Sequence, residues 1–175
     1  LYAGRLVEHK NVDLLLSAIK RLNEQSDRPV TCGIVGDGPD MDALRQQVES
    51  DGLEGAVEFL GFLEDIEDVY GYMKSAGVFV LPSSREGAGL VTLEANACGV
   101  PSITARHENN AATEVVEDGV NGYVSDMEVA DLARTIQTAL DQSTEMRDDC
   151  IEYAKRYEWD AIAEDTLEVY KDNIE

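Results

Sequence analysis

Short apolar runs rich in β-branched residues, each followed by a longer stretch with helical spacing, do most to narrow the folds open to this chain. Strands are expected over 1–3, 30–35, 57–60, 78–81, 102–105 and 123–124, and helices over 12–23, 41–50, 66–75, 90–97 and 111–117. The first helix shows its period clearly, with Val12, Leu15, Leu16, Ile19 and Leu22 on one face. Gly and Pro sit at the joints, in GDGP, GVP and EDGVNG. This rhythm predicts an α/β domain, a doubly wound parallel sheet of about six strands with helices on both faces. Beyond Val124 the strands stop, and helical patterns over 128–141, 145–157 and 159–174 close the chain. The last carries Trp159, Ile162, Ala163, Thr166, Val169 and Tyr170 on an amphipathic stripe. With 175 residues and no visible repeat or linker, residues 1–175 form one domain.

Charge excludes whole classes of partner. The chain holds 36 acidic and 14 basic residues, a net charge of −22, so phosphate-rich surfaces such as nucleic acid or anionic membrane find no basic patch. A hydrophobic content of 43% argues against disorder. The acidity is spread along the chain rather than gathered in a tail, as in proteins of salt-loving organisms, where salt screens self-repulsion. An ordinary acidic cytosolic protein is the alternative. Cys32, Cys98 and Cys150 lack CxxC spacing and have only His9 and His107 to help them, which argues against zinc; Cys32 and Cys98 read as small core residues. No apolar run approaches a membrane span and no signal peptide is visible. The opening LYAGR reads as a strand end without a lead-in, so the chain is expected to be part of a longer protein.

Residues 83–101, SSREGAGLVTLEANACGVP, stand apart. Charged residues make up 29% of the chain, yet Glu94 is the only one between Glu86 and Arg106. A strand ending at Pro82 leads through SSREGAG into a helix beginning near Gly89. Ligands of such sheets bind beyond the carboxyl ends of strands, where helix-start amides point outward. Gly87, Ala88 and Gly89 would let an anion approach their N–H groups, with the helix dipole behind them. Packing explains such a turn equally well. Past the first strand, AGRLVEHKN places Arg5 and Lys10 where one loop can project both into the same crevice. Two cations opposite that turn would hold a diphosphate in place of Mg²⁺, and a solvated loop pair is the plain alternative. Glu94, flanked by Val91, Leu93, Ala95 and Cys98, either salt-bridges a core arginine or accepts hydrogen bonds from ligand hydroxyls.

The ordered segments AGRLVEHKN, GDGP, FLGFL, PSSREGAGLVTLEANACGVP and EVVEDGVNGYV resemble the carboxyl-terminal domain of retaining glycosyltransferases of family GT4. Glu86 and Glu94 match that family's E-x7-E signature. The resemblance implies one half of a GT-B fold, which is two Rossmann-like domains facing across a cleft, with a nucleotide-diphosphate sugar as substrate. It implies catalytic roles for Arg5, Lys10 and Glu86: the cations grip the diphosphate and stabilise the departing charge, and Glu86 lies near the sugar. Glu94 takes the position of the glutamate that bonds ribose hydroxyls. The amides of Gly87, Ala88, Gly89, Leu90 and Val91 become donor contacts, and Phe62 and Leu63 fall where the base rests. It further implies a hexosyltransferase-type enzyme needing no cofactor or metal and located in the cytoplasm, which the spread acidity makes a high-salt one. Membrane contact at the inner face of the full-length protein stays open. The partner implied is an amino-terminal acceptor-binding domain, onto which residues 158–175 would pack; alone, this half is expected to be inactive.

The chain departs from the family pattern at Ala88, where Phe is usual, and at HENNAATEVV, where a glycine pair is common. Glu114 keeps its matching position without an assigned role. Asp40-Met41-Asp42 follows GDGP at a helix start and reads as a cap rather than a metal chelate. EDIED reads as a solvated face and cap, DGVNG as a tight turn, and Tyr123, Tyr153, Tyr157, Trp159 and Tyr170 as packing residues. No dinucleotide fingerprint, P-loop or Ser-His-Asp set is present. The rival functions are another GT-B nucleotide-sugar enzyme, epimerase-like, and a non-catalytic binding or scaffold domain.

Overall fold

A computed structural model describes residues 1–26 and 28–172. The main sheet is parallel and built from two ladders. The first runs β1 (Tyr2–Ala3), β2 (Cys32–Val35), β3 (Val57–Gly61), and the second β4 (Phe79–Leu81), β6 (Ser102–Ala105), β8 (Gly122–Ser125). They join through Leu1, whose nitrogen donates to the Val78 carbonyl at 2.9 Å and whose carbonyl accepts from the Val80 amide at 2.8 Å. The order is therefore β3-β2-β1-β4-β6-β8, and the chain changes direction between β1 and β4. That reversal opens a crevice above the carboxyl ends of these two strands. β4 and β6 are buried at every position, as expected of central strands covered on both faces.

On one face α1 (Val12–Gln25) packs between α2 (Met41–Ser50) and α5 (Val129–Gln142); on the other, α4 (Leu90–Ala97) packs between α3 (Ile66–Ser75) and α6 (Arg147–Lys155). The stripe read in α1 is the buried one: Val12, Leu15, Leu16, Ile19 and Leu22 all join the core. The three cysteines are free and buried. Asp65 caps α3 by accepting from the Glu67 amide at 2.9 Å, and the DGVNG turn closes through an Asp118–Gly122 bridge.

Several expectations change. A two-stranded ladder, β5 (Arg85–Glu86) with β7 (Asn109–Asn110), left no sequence signal because two residues show no periodicity. The helix expected over 111–117 is a 3-10 turn, Ala111–Val115, started by Asn110, whose side chain accepts from the Ala112 amide. Asp40 occupies the N-cap of α2 but accepts no capping bond; its backbone is already helical, whereas a capping residue is extended. The final helix, α7 (Trp159–Asp172), does not bury its stripe: Trp159 is 84% and Tyr170 64% exposed, so these two are not packing residues. The end of the pattern expected over 159–174 lies outside the described residues.

The turn after β2 must approach the turn after β1 closely. Gly36 has φ +127°, and a Cβ there would lie 1.9 Å from the Gly4 carbonyl oxygen. Gly36→Ala is therefore expected to lower stability by about 2–4 kcal/mol, read as a shift of the urea midpoint. Gly87, whose added Cβ would meet nothing within 4 Å, is the control: Gly87→Ala should move that midpoint little.

Candidate functional site

A cleft of about 890 Å³ opens where β1 and β4 part. Each wall comes from the carboxyl end of a strand or the start of the helix after it. The β1 turn brings Gly4, Arg5 and Lys10; the β2 turn Gly36 and Asp37; the β3 turn Phe62, Leu63 and Glu64; α3 adds Ile66 and Val69. Opposite stand Glu86, Gly87, Ala88 and Gly89 of the β4 loop, with Leu90 and Val91 of α4.

The structure thus brings Arg5, Lys10, Phe62, Leu63, Glu86, Gly87, Ala88, Gly89, Leu90 and Val91 to one cleft; Glu94 is not among the lining residues. Glu94 sits on α4 three residues past Val91 and four past Leu90, one turn deeper on the same helix face. It is half-buried, and its carboxylate makes no hydrogen bond or ion pair among the described residues, so it does not salt-bridge an arginine. Burial raises its pKa above the ordinary carboxylate value.

The two cations differ. Lys10 donates to Glu86 Oε1 at 2.5 Å, with both side chains largely buried. The Arg5 guanidinium is exposed and has no partner among the described residues. Beneath them lies Tyr2, fully buried, its hydroxyl donating to the Arg5 carbonyl at 3.0 Å. Burial, and behind it the Glu86 carboxylate, push that hydroxyl well above the ordinary phenol value and keep it a donor.

Asparagines unmarked by the sequence reading hold these groups in place. Asn11 adopts the left-handed region, φ 50° and ψ 44°, which Asn tolerates better than most residues. Its side chain donates to the Pro82 carbonyl at 3.0 Å, and the neighbouring His9 carbonyl accepts from the Ser84 amide at 2.9 Å. The Lys10 turn is thereby latched to the β4 loop. Asn110 is buried beneath that loop, contacting the Ser83 and Ala105 carbonyls and the Thr104 hydroxyl. Its backbone pairs with Glu86 in the small ladder. Gly89 enters α4 with φ +62°, and a Cβ there would come within 2.4 Å of the Ala112 Cβ. Asn96 and Asn121 exchange buried hydrogen bonds of 2.8 and 2.9 Å that tie α4 to the base of β8. The signal available in the sequence was polar: Asn at 11, 96, 110 and 121 in otherwise apolar or turn surroundings. Glu114 is exposed and outside the cleft.

Chemically, the cleft pairs a cationic wall with a helix start whose first amides are open. Among the described residues no group of His, Cys, Asp and Glu is arranged to hold a metal, and Asp40 and Asp42 lie away from the cleft.

Comparison with known proteins accords with this geometry. Residues 1–157 match the family model described as glycosyl transferases group 1. A glycosyltransferase of Methanocaldococcus jannaschii of uncharacterised specificity is 31% identical over 98% of the chain and 44% of its own length. A D-inositol 3-phosphate glycosyltransferase of Catenulispora acidiphila is 30% identical over 100% of the chain and 43% of its own. The chain thus spans less than half the length of these curated relatives. Among solved structures, Anabaena HepE in complex with UDP superposes with a TM-score of 0.77 at 28% identity, over 98% of this chain and 48% of HepE. The pneumococcal O-GlcNAc transferase GtfA, at 22% identity and a TM-score of 0.80 over 98% of this chain and 35% of its own, shares the fold. The switch-point cleft, the ordered motifs that line it and these matches agree: the chain belongs to the group 1 glycosyl transferases, family GT4, and folds as a Rossmann-like half of the GT-B architecture.

Proposed function

We propose that the chain is the donor-binding domain of a retaining, metal-independent glycosyltransferase of hexosyltransferase type. In this reading it carries a sugar from a nucleoside-diphosphate sugar to an acceptor hydroxyl. One observation supports it most: Arg5 and Lys10 line the same cleft as Gly89 and the open amide end of α4, so cations and helix dipole converge on one anion site. UDP and UDP-glucose in the HepE structures support the donor class.

Each residue then has a task its placement allows. Arg5 and Lys10 hold the diphosphate and stabilise the charge left when the bond from its oxygen to the anomeric carbon breaks. Gly89, Leu90 and Val91 present backbone amides, and Gly87 and Ala88 keep the approach to them open. Phe62, 74% exposed on the cleft rim, and Leu63 offer an apolar seat for the base. Glu94, unpaired on the face of α4 that continues the cleft wall, accepts from ribose hydroxyls, which supply the hydrogen bonds its carboxylate lacks. Glu86 faces the sugar. The acceptor site and the contact for α7 belong to an amino-terminal domain facing the cleft, and this chain alone binds donor weakly and turns over little. The setting is a cytoplasm of high salt.

Calorimetric titration with UDP-, GDP- and ADP-sugars tests the assignment. One donor class should bind, and absence of binding to all of them, in high salt as well as low, favours a scaffold domain. Arg5→Ala should weaken the bound donor by about tenfold or more through loss of charge-assisted bonds.

Glu94 gives a two-sided test. Because burial raises its pKa in the fold, its contribution to stability is fully present below the unfolded value and is lost as pH rises through the folded one. Glu94→Gln should therefore raise the thermal midpoint at pH 7, with the difference closing near pH 4, while nucleotide affinity falls by about tenfold. Unchanged affinity removes the ribose role.

The salt setting is tested by melting: with a net charge of −22, the thermal midpoint should rise steadily from about 0.1 to 2 M KCl as screening relieves self-repulsion. A flat response assigns the chain to ordinary ionic strength.

A further inference from the structure

The cleft holds two cations in different conditions. Arg5 is exposed with no partner among the described residues, whereas Lys10 is bonded to Glu86 at 2.5 Å, the two side chains only 17% and 12% exposed. The pair is held from both sides by the backbone. On the Lys10 side, the His9 carbonyl accepts from the Ser84 amide. On the Glu86 side, β5 is zipped to β7, whose Asn110 side chain is anchored in the interior. The two backbone segments are thus held side by side, and the side chains meet between them.

We propose that Glu86 is the resident counter-ion of Lys10, and that the exchange of this partner lets the site discriminate a nucleoside-diphosphate sugar from the bare nucleoside diphosphate. The inference rests on the donor-binding reading given above. A phosphate oxygen that engages Lys10 competes with Glu86 for its three donors, and a close phosphate draws the ammonium off the carboxylate. Stranding a largely buried carboxylate is costly unless other donors reach it. A bare diphosphate brings no such donor. The sugar ester brings hydroxyl groups that can donate to the freed carboxylate. The cost of breaking the pair is thus offset for the donor and not for the diphosphate left after transfer. Glu86 thereby weakens product binding relative to substrate, which favours release and lessens inhibition by product. No bond is made or broken in this step beyond the hydrogen bonds exchanged.

The test compares dissociation constants by calorimetry for matched pairs: UDP and UDP-glucose, GDP and GDP-mannose, ADP and ADP-glucose, using the pair that binds the unaltered protein. Glu86→Gln removes the charge that holds Lys10. It should tighten the bare diphosphate by about tenfold, because the exchange no longer costs an ion pair, and change the sugar ester by less than about threefold, since relief and lost sugar contact oppose each other. Glu86→Ala, with folding checked by thermal melting, should tighten the bare diphosphate similarly and weaken the ester. In a Lys10→Met background, Glu86→Gln should change diphosphate affinity by less than about twofold, because the two residues act as a unit. Unchanged or weakened diphosphate binding in Glu86→Gln overturns the proposal. So does tightening that persists in the Lys10→Met background, which would reveal direct repulsion of phosphate by Glu86. If no pair binds the unaltered protein, the donor-binding reading itself fails, and the counter-ion role with it.

Discussion

The seam between β1 and β4 governs where chemistry can take place in this molecule. The backbone of Leu1 bonds on both sides of Phe79, to the Val78 carbonyl and the Val80 amide, and so welds two parallel ladders into one sheet that winds outward in both directions. Because the chain leaves this seam toward opposite edges, the loops after β1 and β4 flank one cleft, latched to each other through His9 and Ser84 and through Lys10 and Glu86. Arg5 and Lys10 stand on one lip and Glu86 through Gly89 on the other as a consequence of strand order alone. Close packing then narrows the gap. The Gly36 backbone rests against Gly4, and Gly89 rests against Ala112, at distances that no side chain would permit.

What the sequence disclosed and what it hid divide along the range of the interactions involved. The α1 stripe was legible because a helix face repeats every few residues, and the end of β4 because a strand, a small-residue turn and a helix follow directly. The family motifs carried the rest of the cleft, including Phe62 and Leu63, which no local pattern marks. The fastening of the loops was hidden. Asn110 reaches the Ser83 carbonyl across 27 residues and Asn11 reaches Pro82 across 71. Neither residue stood out, because its partner is distant in the chain. Two misreadings share that cause: the Asn121 side chain takes the Val115 carbonyl and the Glu117 amide, so a helix stops as a 3-10 turn, and the backbone pairing of Glu86 with Asn110 makes strands too short to show alternation. The α7 stripe was real as a pattern, but periodicity states only that a helix has an apolar side and not that this chain covers it.

Charge distribution gives the cleft its contrast with the rest of the surface. A domain with 36 acidic residues repels anions in general, so long-range attraction cannot gather a diphosphate to it, least of all where salt screens the field within about a nanometre. Recognition must then be short-ranged. In the proposed donor site, backbone dipoles and two cations gather at one spot, whose strength depends on geometry more than on net charge.

Glu94 shows how such a site coexists with a stable domain. Most polar groups in the α4 region are satisfied internally: Asn96 and Asn121 bond to each other and to nearby carbonyls, and Ser102 donates to Thr92. Those bonds fix the helix and leave little freedom to relax around a charge. Glu94 alone on α4 is left with a desolvated carboxylate and no internal donor, and its raised pKa is the sign of that cost. A sequence selected only for folding would place an apolar or neutral residue there, as it does at Leu93 and Ala95 on either flank. The surrounding network makes the departure tolerable, because it fixes the helix backbone independently of Glu94. In the proposed donor site, hydroxyl groups that reach this carboxylate would supply the hydrogen bonds it lacks, so the stability forgone in the fold would return as affinity for a polyol.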